Sequence, residues 1–191
     1  MAAKKSTISI TRTILVLSGI MTLLVLAVAN LAARDKSPSD SGATMGSAQK
    51  QNKAVAHLYF ADKDNVFLIA EERDLLQAED PIIYSKSIIE ALISGPAQKL
   101  GPTIPQKTTL RALYISEEGT CYVDLSADIQ EYHHGGAATE LLTVYSIVNS
   151  LILNIADIEA VKILIEGQES ITLAGHIDLQ QPLKANMLLI R

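Results

Sequence analysis

A chain of 191 residues with 48 % hydrophobic content has room for one domain of ordinary size and a short appendage. Its 16 Lys and Arg are scattered and its net charge is −5, so the dense positive surface that a phosphate backbone demands is missing and nucleic acid is excluded as an expected partner. The single cysteine, Cys121, excludes an intrachain disulfide and any zinc site built on several thiolates.

Residues 14–33 carry no charge, and as a helix they would span about 30 Å, the hydrocarbon thickness of a bilayer. Lys4, Lys5 and Arg12 precede the run, whereas Arg34 and Lys36 after it are diluted by Asp35 and Asp40. This bias predicts residues 1–13 in the cytoplasm, a single transmembrane helix over 14–33 and everything beyond it outside. A cleaved signal peptide is the alternative, because Ala27-Val28-Ala29 has the small-x-small form of a cleavage site. Both readings export the remainder. Residues 34–53 are rich in Ser, Gly, Ala, Asp, Lys and Gln and read as a flexible tether.

The folded part is expected over residues 54–185, with a tail over 186–191. Residues 55–61 and 66–70 are short apolar runs separated by Asp62-Lys63-Asp64-Asn65, the pattern of two strands and a polar turn. Asp80-Pro81 starts a helix and Gly95-Pro96 stops it. Residues 108–115 and 120–125 form a hairpin closed by Gly119, and Cys121, Val123 and Leu125 alternate toward the core. Gly135-Gly136 opens a long helix with Leu141, Val144, Tyr145, Val148, Leu151 and Ile152 at helical spacing. Residues 159–166, a turn at Gly167-Gln168 and residues 170–173 make a last hairpin. The order predicts an α+β domain, two helices packed on one face of a mostly antiparallel sheet.

Candidate chemistry is sparse. His133 and His134 sit beside Gly135-Gly136 at a helix start, where imidazoles could hold an anion or a metal, yet adjacent histidines do not readily converge on one ion. A polar loop is the expected role, and His57 and His176 are expected to be structural. There is no nucleophile elbow and no phosphate loop, and Glu117-Glu118 falls in a hairpin turn. No catalytic residue, metal ligand or cofactor is therefore expected.

The segments together resemble the GerMN domain, the sporulation and spore-germination family of exported bacterial proteins. The resemblance runs from about residue 58 to 183. It is carried by Leu58-Tyr59-Phe60-Ala61-Asp62, by Glu90-Ala91-Leu92-Ile93-Ser94-Gly95-Pro96 with Ile104-Pro105, and by Tyr122-Val123-Asp124-Leu125-Ser126. Further on it is carried by Gly136 to Leu141, Val144-Tyr145-Ser146-Ile147-Val148-Asn149, Ile163-Leu164-Ile165-Glu166-Gly167 and Thr172-Leu173-Ala174-Gly175-His176. It implies a non-enzymatic module shaped like the ring-building motifs of secretion-type machines, in which one copy packs on another. The partners so implied are the cytoplasmic membrane through residues 14–33, and envelope proteins or further copies of the chain. Peptidoglycan is the alternative partner, kept open by the six Tyr although the chain has no Trp.

Opposite the apolar stripe of the long helix stand Thr139, Thr143, Ser146 and Ser150, spaced four, three and four apart. Small, uncharged side chains allow close approach, which makes this face the candidate site of a partner, with plain solvent exposure or cover by the C-terminal tail as the alternatives.

Overall fold

The computed structural model describes residues 53–76 and 78–191. The expected cytoplasmic segment, membrane span and linker lie outside the described residues, save for Lys53. Among the described residues no helix is long and apolar enough to cross a membrane.

Lys53 opens the first strand. β1 (Lys53–Ala61) and β2 (Leu68–Leu76) form an antiparallel hairpin in register from Lys53↔Leu76 to Ala61↔Leu68. Its turn is fixed by Asp62, whose Oδ1 accepts the N–H groups of Val66 and Phe67 at 2.8 and 3.2 Å. α1 (Pro81–Ser94) starts as expected: Pro81 needs no donor partner, and Asp80 accepts the N–H of Ile82 at 2.8 Å. It ends at Gly95, whose φ of 87° is open chiefly to glycine.

A second sheet has the order β3-β4-β5-β6, from β3 (Leu110–Ile115), β4 (Thr120–Leu125), β5 (Ala160–Ile165) and β6 (Gln168–Glu169). β4 and β5 run parallel because the chain between them is long enough to return across the sheet, carrying α2 (Asp128–Glu131) and α3 (Ala137–Ile152). The α+β class holds, but the strands form two sheets rather than one, with a parallel pair in the middle of the larger. The return strand comes earlier and is shorter than expected: β6 occupies Gln168–Glu169, and over residues 170–173 there is only an isolated bridge from Thr172 to Asp178. At Gly119, in the β3–β4 turn, φ is 76° and a Cβ would come within 3.1 Å of the Asp157 carbonyl.

Alternation decides what each strand buries. Leu113, Cys121, Val123, Leu125, Val161, Ile163 and Ile165 face inward from the larger sheet. They meet Ile88, Ile89 and Leu92 of α1, Val144, Ile147, Val148 and Leu151 of α3, and Ala56, Leu58 and Phe60 of β1. Each large side chain here contributes about 1.5–3 kcal/mol by leaving water. The expected tail over 186–191 is part of the same body. Asn149 and Asn186 exchange hydrogen bonds at 2.9 and 3.1 Å, and the Arg191 N–H donates to the Leu68 carbonyl at 3.0 Å.

Candidate functional site

The stripe expected to meet a partner is turned inward. Thr143, Ser146 and Ser150 are fully buried. Ser146 Oγ donates to the Tyr59 carbonyl at 2.6 Å, Ser150 Oγ accepts the Tyr59 N–H at 3.1 Å, and Thr143 Oγ1 donates to the Thr103 carbonyl at 2.6 Å. One turn further on, Asn154 accepts the His57 N–H and donates to the His57 carbonyl. The reason is the edge of β1 away from β2, whose backbone groups need partners once α3 covers them. Small polar side chains four residues apart supply those partners at close range, as a neighbouring strand would. The expected face is thus a correction: its members join the chain to itself, and Thr139 alone is left partly exposed.

Thr139 lines a cleft of about 340 Å³ between the loop over residues 102–107 and Tyr132, His133 and His134. His133 Nδ1 accepts the Gly135 N–H at 3.0 Å, which places its proton on Nε2, 3.1 Å from Thr143 Oγ1. Burial pushes the imidazole pKa down, against the opposing pull of the Glu140 charge, so the ring is held neutral. Both nitrogens of His133 thus have partners within the chain. His134 is exposed, and among the described residues no three His, Cys, Asp or Glu are placed to hold an ion. Lys107 Nζ sits 3.8 Å above the Tyr132 ring, a cation–π pair at the rim.

Two buried carboxylates, absent from the sequence-based expectations, organise loops around this region. Glu140, fully buried on α3, accepts through Oε1 the N–H groups of Leu173, Ala174 and Ile177 at 3.0, 2.8 and 3.1 Å. Its Oε2 takes the His176 N–H at 2.8 Å and faces His176 Nδ1 at 2.9 Å. Burial alone would raise this carboxyl, but the amides of Ala174, Ile177 and His176 outweigh it and hold the pKa below the usual range. Glu71 does the same for another loop, accepting the N–H groups of Ala97 and Gln98 and pairing with Arg73, and its pKa is likewise lowered against the cost of burial. The sequence did hold a signal for Glu140: it precedes Val144, Ile147, Val148 and Leu151 by four, seven, eight and eleven, on the buried stripe.

Cys121 is buried as expected, and desolvation pushes its thiol up to about 12. Among its charged exposed residues the domain also presents large apolar and aromatic side chains to solvent. On the outer face of the larger sheet Tyr114, 57 % exposed, lies opposite Tyr122 with ring centroids 6.2 Å apart and planes tilted by 37°. The β5 side of that face is closed by the C-terminal segment, since Lys162 Nζ donates to the Gln180 carbonyl and Leu183 bridges Val161.

The model of the family described as sporulation and spore germination matches residues 57–171. Among solved structures, a candidate lipoprotein from Clostridium perfringens is 27 % identical over 70 % of this chain and 88 % of its own, with a TM-score of 0.51. The tandem GerMN domains of the sporulation protein GerM from Bacillus subtilis match at 24 % identity over 70 % of this chain and 46 % of theirs, with a TM-score of 0.58. The first GerMN domain of that protein matches at 22 % identity over 69 % of this chain and 97 % of its own, with a TM-score of 0.56. No curated protein sequence matches the chain. With more than half of its length covered by the family model and its fold shared with those domains, the chain belongs to the GerMN family of sporulation and spore-germination domains.

Proposed function

We propose that this chain is a non-catalytic cell-envelope protein, held in the cytoplasmic membrane by residues 14–33, whose exported GerMN domain binds other proteins on the outer side of that membrane. The observation that carries this reading is the Tyr114–Tyr122 pair, with Tyr114 exposed on the outer face of the larger sheet. Tyrosines supply large contact area at low entropic cost and are enriched where proteins meet. Family membership supports the same reading, as does the likeness to a candidate lipoprotein of Clostridium perfringens, a class of protein held at a membrane.

The test places a photo-cross-linking residue at Tyr114 of the full chain in cells, with a reporter after Arg191. Discrete protein adducts on an extracytoplasmic domain are expected; a reporter confined to the cytoplasm, or a folded chain giving no adduct, overturns the proposal. Peptidoglycan is a second reading because the exposed ring of Tyr114 could stack on a sugar. Retention on purified peptidoglycan that falls with Tyr114→Ser would favour it over a protein partner.

A further inference from the structure

The outer edge of β2 has a geometry that can be worked out residue by residue. Both backbone groups of Tyr59 bond to Ser146 and Ser150, and both of His57 bond to Asn154, so neither residue bonds to β2. Their opposite numbers, Ala70 and Glu72, therefore form non-hydrogen-bonded pairs with β1 and point their N–H and C=O groups away from it. The alternation carries this on to Asp74 and back to Leu68. Leu68 confirms the direction, because its carbonyl accepts the Arg191 N–H at 3.0 Å and Ile190 lies beside it as a parallel bridge. Chain can thus be seated on this edge, and one residue of it already is. Beyond Leu68, no group among the described residues reaches the outward backbone of Ala70, Glu72 or Asp74, and all three residues are exposed.

Charge decides what would pair there. Glu72, 72 % exposed, and Asp74 stand on the open face of the hairpin, with Glu79 and Asp80 exposed just beyond. Among the described residues of the hairpin, the cations on that face are Lys53, opposite Leu76 at the open end, and His57 if protonated, 3.8 Å from Glu72. A second copy paired antiparallel through these residues would set Glu72 opposite or diagonal to an acidic residue of its mate, and like charges across a ladder repel. We propose that the β2 edge over Ala70, Glu72 and Asp74 binds an extended segment of a partner protein with basic side chains at alternate positions, which adds as a strand. Main-chain bonds supply the pairing and the acidic pair supplies the selection. The inference rests on the protein-binding reading above and names the chemistry of one such partner.

The test uses the full chain and a labelled hexapeptide of alternating Val and Lys, with a Val–Glu peptide as control. Binding of the basic peptide and not the acidic one is expected, together with slowing of amide exchange by about tenfold at Ala70, Glu72 and Asp74 and no change at Ile69, Glu71 and Arg73. Ala70→Pro deletes an outward N–H, breaks no bond to β1 and leaves every charge in place, so it should weaken binding at least about tenfold while the domain still folds. A peptide N-methylated on the pairing edge gives the same information on the unaltered protein. The proposal is overturned if the basic peptide does not bind, if Ala70→Pro and N-methylation leave its affinity unchanged, or if exchange slows at none of the three amides. In that event, adducts still formed from Tyr114 in cells would leave the protein-binding reading standing; their absence would remove both.

Discussion

Glu140→Gln isolates what one buried charge does for this fold. The carboxylate closes the turn over residues 173–177 by accepting four backbone N–H groups and facing an imidazole nitrogen. Glutamine keeps one oxygen for the Leu173, Ala174 and Ile177 amides but turns an NH₂ toward the His176 N–H, so donor meets donor. Hydrogen bonds to charged groups contribute about 1.5–3 kcal/mol each, and a buried donor left unpaired costs about 1–3. With partial relaxation of the turn, Glu140→Gln should destabilise the domain by about 2–4 kcal/mol, and Glu140→Ala by more. This is a large share of a total near 5–15 kcal/mol. Urea unfolding should show a lower midpoint with an unchanged slope. The acid limb checks the same contact. Unfolded, Glu140 titrates near 4.5 and folded it titrates lower, so between those values the unfolded chain binds more protons and stability falls as pH falls. The full contribution is present above 4.5, Glu71 adds to the same trend, and Glu140→Gln should flatten it. A loss below about 0.5 kcal/mol with an unaltered acid limb would refute the argument.

Ser146→Arg should unfold the domain, because the side chain it replaces is fully buried against Tyr59; a soluble, cooperatively folded variant would mean the helix faces solvent after all. Cys121 should resist a thiol reagent in the native state and react once the chain is denatured, and rapid native labelling would contradict its burial. Zinc should leave the melting temperature unchanged, since both nitrogens of His133 are already bonded, whereas a rise of several degrees would make His133 and His134 ligands. Removal of residues 1–36 should leave a soluble domain with a cooperative thermal transition, and aggregation would show that the segment shares its core.

Local chemistry was legible in the sequence wherever it depends on neighbours along the chain. Asp80-Pro81 and Gly95 bound α1, Gly119 closes the β3–β4 turn, and the alternation of Cys121, Val123 and Leu125 names the buried side of β4, all without reference to any distant residue. The order and spacing of such pieces were also enough to suggest the family. What the sequence alone did not decide is which surface of α3 faces water. A helix buried on one side carries Lys, Glu or Arg on the other, and residues 137–152 contain a single charge, Glu140, so the polar row of Thr143, Ser146 and Ser150 could read as an open face. Burial of that row was settled by the hairpin, whose β1 edge leaves a backbone donor and acceptor at Tyr59 that Ser150 and Ser146 reach. The role of Glu140 was likewise fixed by a turn more than thirty residues away, which brings its amides to the carboxylate. Hydrogen-bond partners of this kind are set by where the chain returns, and that is a property of the packed tertiary structure, not of any local stretch of sequence.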